Sequence, residues 1–206
     1  DGYVTALNKG PGTGGNDRYD QDDKSARVQA LWKPSDVFSL RLTADYLHQG
    51  GAGGGDQTYG TTRVTGDPWT CNCSVNLYRN NRFFSTGGEA NWDLGFATLT
   101  YLMGYNFSRL DRNGENASTG APSYFKGKDH TWSHELRLGG ETGDLKWVVG
   151  LYRFTEDNNV DFRVFLATNS YLSFIQPEVT AESWAAFGQG TYAVTDRLRL
   201  TAGLRY

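Results

Sequence analysis

The stretch Glu182 to Tyr206, ESWAAFGQGTYAVTDRLRLTAGLRY, decides the fold class. It reads as two alternating arms joined by a turn of about three residues. In the second arm Leu198, Leu200, Ala202, Leu204 and Tyr206 share one phase, and Arg199, Thr201, Gly203 and Arg205 share the other. Successive side chains of a strand point to opposite faces, so one face is apolar and the other carries two guanidinium groups. The first arm sets Trp184, Ala186, Gly188, Gly190, Tyr192 and Val194 against Ser183, Ala185, Phe187, Gln189, Thr191 and Ala193, less cleanly because of Phe187. A soluble sandwich produces the same alternation with its apolar face turned inward. Strand length and aromatic placement break the tie. Arms of about 9–11 residues with Trp and Tyr near their ends favour an antiparallel transmembrane β-barrel. The chain stops within the second arm, which predicts a piece of a larger barrel.

Composition agrees. The 206 residues are 38% hydrophobic and include 26 glycines, with a mean hydropathy of -0.57. No apolar run approaches the roughly 18 residues of a transmembrane helix, so a helical membrane protein is excluded. A barrel can span lipid with so polar a sequence, because alternate residues face its lumen. The net charge of -3 and pI of about 5.6 argue against a nucleic-acid partner, since phosphate binding relies on clustered Lys and Arg.

The rest of the chain repeats the hairpin. Ser25 to Trp32 alternates, Lys33-Pro34-Ser35-Asp36 turns, and Phe38 to His48 alternates again. A long loop opens at Gly50 to Gly55 and runs to Phe84; Thr86 to Asp93 then leads through Leu94-Gly95 into Phe96 to Arg109. Asp111 to Asp129 reads as a loop, followed by His130 to Gly139, a turn at Gly140 to Asp144, and Leu145 to Thr155. Glu156 to Glu178 reads as the last internal loop. The expectation is an all-β segment of about eight strands in four hairpins over residues 1–206. Short turns lie at one end and long loops at the other, as in transmembrane barrels, whereas soluble domains have median connections of roughly 4–6 residues. Eight strands could also form a small closed barrel.

Four blocks carry a family resemblance: SARVQALWKPSD at Ser25 to Asp36, ANWDLGFATLTYLMGY at Ala90 to Tyr105, SHELRLGG with LKWVVGLYRF at Ser133 to Phe154, and FGQGTYAVTDRLRLTAGLRY at Phe187 to Tyr206. In this order, with long loops between them, they resemble the barrel of TonB-dependent outer-membrane receptors. GYV and the acidic stretch before Ser25 resemble the outer end of a preceding strand and its loop. The resemblance implies a 22-stranded barrel in the bacterial outer membrane, plugged by its own N-terminal domain. It also implies uptake of a scarce small-molecule nutrient, such as a ferric siderophore or oligosaccharide, energised through the TonB complex. This chain contains neither plug nor TonB-contacting segment.

Arg27, Gln29, Ser39, Arg41, Thr43, Asp45, Glu89, Asn91, Glu135, Arg137, Arg199 and Arg205 occupy the polar phase and are expected to face the lumen or plug. Charges facing lipid would cost several kcal/mol near the midplane. The opposite phase, Val28, Ala30, Trp32, Phe38, Leu40, Leu42, Ala44, Tyr46, Trp92, Leu136, Leu138, Leu198, Leu200 and Leu204, is expected to contact outer-membrane lipid. Trp147 to Phe154 is apolar in both phases, so its register stays open.

Loop candidates for ligand recognition are Tyr59, Trp69, Tyr78, Arg79, Arg82, Tyr124, Phe125 and Lys126, which combine aromatic faces with cationic or hydrogen-bonding groups. Each serves equally well as a loop-packing residue. Cys71 and Cys73 lie in the longest loop. A mutual disulfide, pairing with cysteines elsewhere and free thiols are comparable alternatives there. His130 and His134 have no Cys partner nearby and read as barrel-end residues touching water, not as metal ligands. Asp17, Asp20, Asp22 and Asp23 lack the spacing of a calcium loop and read as a solvated acidic loop. No nucleotide loop and no nucleophile, base and acid set is present, so neither a cofactor nor an enzyme is expected. Against the receptor stand two alternatives: a structural or adhesive outer-membrane barrel that binds a surface partner through its loops without transport, and a soluble sandwich.

Overall fold

The computed structural model describes residues 2–7, 16–53, 66–73, 75–115, 120–166 and 170–206. Ten strands form in chain order: β1 Thr5–Ala6, β2 Asp20–Ser35, β3 Phe38–Gly53, β4 Thr70–Cys71, β5 Asn81–Asp93, β6 Thr98–Glu115, β7 Pro122–Thr142, β8 Leu145–Phe165, β9 Tyr171–Thr195 and β10 Leu198–Arg205. β1 and β4 make a small parallel pair. The other eight form one antiparallel meander in the order β10-β9-β8-β7-β6-β5-β3-β2, as the alternation predicts, and the sheet does not close on itself.

One end has tight turns. β7 passes to β8 through Gly143 and Asp144, and Gly143 takes φ 56°, a left-handed conformation that glycine adopts without a Cβ penalty. β2 passes to β3 through Asp36 and Val37. The expected turn at Lys33 to Asp36 is therefore displaced by about two residues. Pro34 instead sits at a register irregularity between Trp32 and Ser35, where its missing N–H breaks no ladder bond.

The other end corrects the sequence reading. The stretches Asp111 to Asp129 and Glu156 to Glu178 are mostly strand: β6 and β7 pair out to Glu115 and Pro122, and β8 and β9 pair out to Phe165 and Tyr171. Both faces are wet there, so the side chains lose their alternation while the backbone ladder continues. β7 and β8, at 21 residues each, are far longer than the roughly 9–11 needed to cross a bilayer. GYV also differs from expectation. Val4 bridges Arg18 and β1 pairs with β4, so this segment folds over the outer end of the sheet, and the acidic stretch lies largely within β2.

Register assigns the ambiguous strand. Trp147, Val149 and Leu151 lie opposite Gly190, Gly188 and Ala186, whereas Val148, Gly150, Tyr152 and Phe154 lie opposite Gly139, Arg137, Glu135 and Ser133. The sheet is a single layer, and no large side chain is fully buried among the described residues. Val28, Trp32, Leu151 and Leu200 are 58–68% exposed on one face. A soluble sandwich would have covered them.

Gly150 shows why a strand interior takes glycine. The Phe187 ring lies over it, and an added Cβ would overlap that ring and approach the Leu136 carbonyl oxygen to 2.9 Å. Gly150→Val is expected to destabilise the barrel by about 1–3 kcal/mol through overpacking. The check is the denaturant midpoint of the intact protein in detergent, where Gly150→Val combined with Phe187→Ala should lose less than the two single effects added.

Candidate functional site

The ladder carries the charged residues onto one face in adjacent strands. Arg27 of β2 lies opposite Asp45 of β3, and its Nε donates to Asp45 Oδ1. Arg41 of β3 lies opposite Glu89 of β5, with Nη1 to Oε2 at 3.3 Å. The network continues sideways: Asn91 Nδ2 donates to Glu89 Oε1 at 2.7 Å, and Thr100 Oγ1 donates to Asn91 Oδ1 at 2.7 Å. On β7, Arg137 Nε donates to Glu135 Oε1. Beyond β7 the character changes. The Arg205 guanidinium stands 5.3 Å from the Tyr152 ring centroid and 6.0 Å from that of Phe187, within the range of cation–π attraction. Arg199 lies on the same phase, opposite Ala193.

These pairs are partly exposed, and exposed pairs contribute only about 0–1 kcal/mol each. Their energetic role is to keep charge satisfied on a wet face, not to hold the sheet together. Phe187 already fell in this phase of its alternating arm, whereas Tyr152 as part of this face was not legible in the sequence. The available signal was Gly150, which leaves room between them.

The opposite face is apolar and framed by aromatics. Phe38 and Tyr46, Phe84 and Trp92, and Trp184 and Tyr192 stand eight residues apart on their strands. That is about 26 Å along a strand at a rise of ~3.3 Å per residue. Trp184 holds the Arg153 guanidinium 4.8 Å from its ring centroid, and its Nε1 donates to Glu182 Oε1 at 3.0 Å. His130 and His134 also belong to this face. His134 stacks on Trp132 and its Nδ1 meets the Tyr101 hydroxyl at 2.7 Å, while His130 Nδ1 meets the Tyr105 hydroxyl at 3.1 Å. They are members of an aromatic cluster instead of residues that merely touch water.

At the outer end a small packed unit forms. Val4, Ala6, Cys71 and Cys73 are buried together, and Cys71 and Cys73 are joined to each other with Cα atoms 5.2 Å apart. Below them Arg18 is ion-paired with Glu115, their side chains only 3% and 8% exposed. Arg18 also donates to the Val75 carbonyl at 3.0 Å and to Asn16 Oδ1 at 2.8 Å. The acidic stretch is engaged by cations of the chain itself: Asp22 by Lys24 at 3.2 Å and Asp23 by Arg79 at 3.1 Å.

The eight loop candidates do not converge. Tyr59 lies outside the described residues. Trp69 is 64% exposed in the turn before β4. Arg79 reaches Asp23 and the Gly50 carbonyl, and its Nε is buried without an acceptor among the described residues. Tyr124, Phe125 and Lys126 lie in β7, not in a loop, so alternation divides them. Phe125 takes the polar phase, where Arg112 stands 5.2 Å from its centroid. Tyr124 and Lys126 take the other phase, opposite Asn113 and Asp111. Arg82 is on that outer phase too, opposite His48 and Arg109. Tyr78 donates its hydroxyl to Asp111 Oδ1 at 3.0 Å. Partial burial, reinforced by that hydrogen bond and the Asp111 charge, pushes its phenol up to about 12.

A family model described as the β-barrel of TonB-dependent receptors matches residues 2–206, and the chain belongs to that family. As a part of such a barrel it resides in the bacterial outer membrane. No curated protein sequence matches it. Among solved structures it is similar to the ferric yersiniabactin uptake receptor FyuA from Yersinia pestis, with 18% identity and a TM-score of 0.73 over 89% of this chain and 29% of that one. It is also similar to the copper transporter OprC, with 15% identity and a TM-score of 0.65 over 94% of this chain and 28% of that one. These likenesses show the fold, and the chain spans less than a third of either protein.

Two measurements probe the outer end. Because the folded phenol of Tyr78 binds its proton more tightly than a free phenol at 10.0, the stability it lends is full below pH 10 and is lost as pH rises towards about 12. The ultraviolet phenolate titration of the intact protein minus that of its Tyr78→Phe variant should show a single late transition near 12. Glu115→Gln should remove the buried ion pair with Arg18 and favour local opening of the outer unit, by up to about 3–5 kcal/mol. Hydrogen exchange should report this as faster exchange at Val4, Arg18 and Leu77, with β6 to β9 unchanged.

Proposed function

We propose that this chain is one sector of the wall of an outer-membrane receptor that imports a scarce nutrient at the expense of the inner-membrane proton gradient. The observation that carries the reading is the segregation of faces. Arg27, Arg41, Asp45, Glu89, Glu135, Arg137, Arg199 and Arg205 fall on one side of a continuous ladder, and aromatic-framed apolar residues fall on the other. Turned to lipid, an Arg near the midplane would cost about 2–4 kcal/mol. The polar face is therefore the lumen, where Arg41 with Glu89 and Arg137 with Glu135 offer a plug domain or a passing solute exchangeable charge. The apolar face is lipid contact.

The remaining strands of a 22-stranded barrel, the plug and the TonB complex complete the machine in the intact protein. Recognition belongs to the outer rim, where exposed Trp69 and the Phe125 and Arg112 pair supply a flat aromatic surface and a cation. Arg79 adds a donor there. Such groups suit an anionic metal chelate such as a ferric siderophore, with an oligosaccharide as the second class.

The test is uptake by cells that carry the intact receptor. Iron-55 supplied as a panel of ferric siderophores should accumulate with at least one of them, and dissipating the proton gradient should abolish accumulation while leaving surface binding intact. Arg41→Glu should lower uptake about tenfold without lowering binding, and adding Glu89→Arg should restore part of it. Binding that never proceeds to gradient-dependent uptake of iron, copper or oligosaccharide would establish the adhesive barrel instead.

A further inference from the structure

The register aligns a row of basic side chains across five adjacent strands. Lys24 of β2 lies opposite His48 of β3, which lies opposite Arg82 of β5, then Arg109 of β6, then Lys128 of β7. All five share the outward, apolar phase. The row one step nearer the tight turns is Ala26, Tyr46, Phe84, Phe107 and His130. Positive charge thus follows directly on an aromatic border, about 7 Å further along the strands.

Like charges directly opposite one another weaken a sheet, so such a row calls for an anion. Part of the row is answered within the chain: Lys24 pairs with Asp22 at 3.2 Å, and His48 Nε2 meets Asn80 Oδ1 at 3.0 Å. Arg82, Arg109 and Lys128 are exposed and form no ion pair among the described residues. Most nearby carboxylates are already used. Asp111 accepts from Tyr78, Asp161 holds Arg163, and Asp157 accepts from Thr180. Asp157 and Glu178 also line, with Lys128, a recess on this face bounded by Tyr105, His130 and Trp132. The uncompensated charge is therefore greatest at Arg82 and Arg109.

We propose that Arg82, Arg109 and Lys128 form a binding site for the phosphate groups of a lipid headgroup in the outer leaflet. Position selects the occupant. Aromatic borders of membrane barrels mark the interface between hydrocarbon and headgroups, and this row stands immediately beyond one, on the side that faces lipid. Two guanidinium forks on neighbouring strands present planar paired donors suited to phosphate oxygens. Lys128 adds a point charge one strand further. The inference rests on the outward assignment of this phase and is separate from what the lumen transports.

The test uses the intact receptor, purified in mild detergent, stripped of lipid and titrated with lipopolysaccharide, either intact or with its headgroup phosphates removed. Binding is read by native mass spectrometry. The variant Arg82→Gln with Arg109→Gln and Lys128→Gln should bind the phosphorylated lipid about a hundredfold more weakly than wild type. Removing the phosphates should bring wild type to the same level, an arm that requires no variant. Arg82→Lys with Arg109→Lys, which keeps charge, should retain most affinity, and Arg41→Gln on the polar face should bind as wild type does. Equal binding of phosphorylated and phosphate-free lipid by wild type would overturn the proposal. So would displacement of the lipid by equimolar inorganic phosphate, which would mark a site for a soluble anion, or loss of the effect unless an acidic outer-membrane protein is present. Loss at Arg41→Gln with none at the triple variant would overturn the face assignment together with the inference.

Discussion

Hydrocarbon offers no hydrogen-bond partner, so every backbone N–H and C=O that crosses it must be satisfied within the sheet. The ladder obeys this constraint where it matters. β7 and β8 pair without a slip from Ser123 and Val164 to Thr142 and Leu145, and β5 and β6 pair without one from Arg82 to Asp93. The register irregularities lie towards the ends: between Trp32 and Ser35 and between Leu198 and Arg199 at the tight-turn end, and between Asp20 and Asp22 and between Asn158 and Val160 at the far end. Bulges are tolerated where water can reach the freed groups. The same constraint bears on β2 and β10, the two edges of the open sheet. An edge left bare in lipid would cost several kcal/mol for each unpaired group, so these strands require neighbours.

Because the ladder fixes register, it also fixes which side chains meet, and this explains what could be read in advance. β2, β3 and β10 were legible because their two faces lie in different media and select different residues: Arg27 beside Val28, Arg41 beside Leu42, Arg199 beside Leu200. β8 was not, because Tyr152 and Phe154 are large and apolar on the wet face. Tyr152 is useful there for its π face, which receives Arg205 beside Phe187. A cation–π contact across three strands leaves no trace in the periodicity of any one of them. The outer halves of β6 to β9 were illegible for the opposite reason. Both of their faces meet water, so nothing in the side-chain pattern distinguishes a paired strand from a loop.

The same logic separates the ligand candidates. Tyr124, Phe125 and Lys126 look like one recognition patch when read as a loop, but in a strand the middle residue points away from its neighbours. Phe125 then finds Arg112 and Phe162, while Tyr124 and Lys126 turn to the outer surface. The part of the rim on the polar face is smaller than the sequence suggests. It is built from residues on different hairpins.

A one-layer wall has no interior from which to draw stability, so its parts divide the work by location. In the crossing region the ladder and lipid contact hold the sheet, and the charged face can remain solvated because its ion pairs are not required for cohesion. Outside the membrane, lipid no longer covers the apolar groups, and cohesion there must come from packing. The described residues show such packing where the chain returns over the hairpins. Val4 and Ala6 are buried against Cys71 and Cys73, and Arg18 is buried against Glu115. A buried ion pair is costly to break by removing one partner, since the other charge is left without compensation. It therefore acts as a geometric pin, fixing where the outer segments sit on top of a wall whose own register was already set by its backbone.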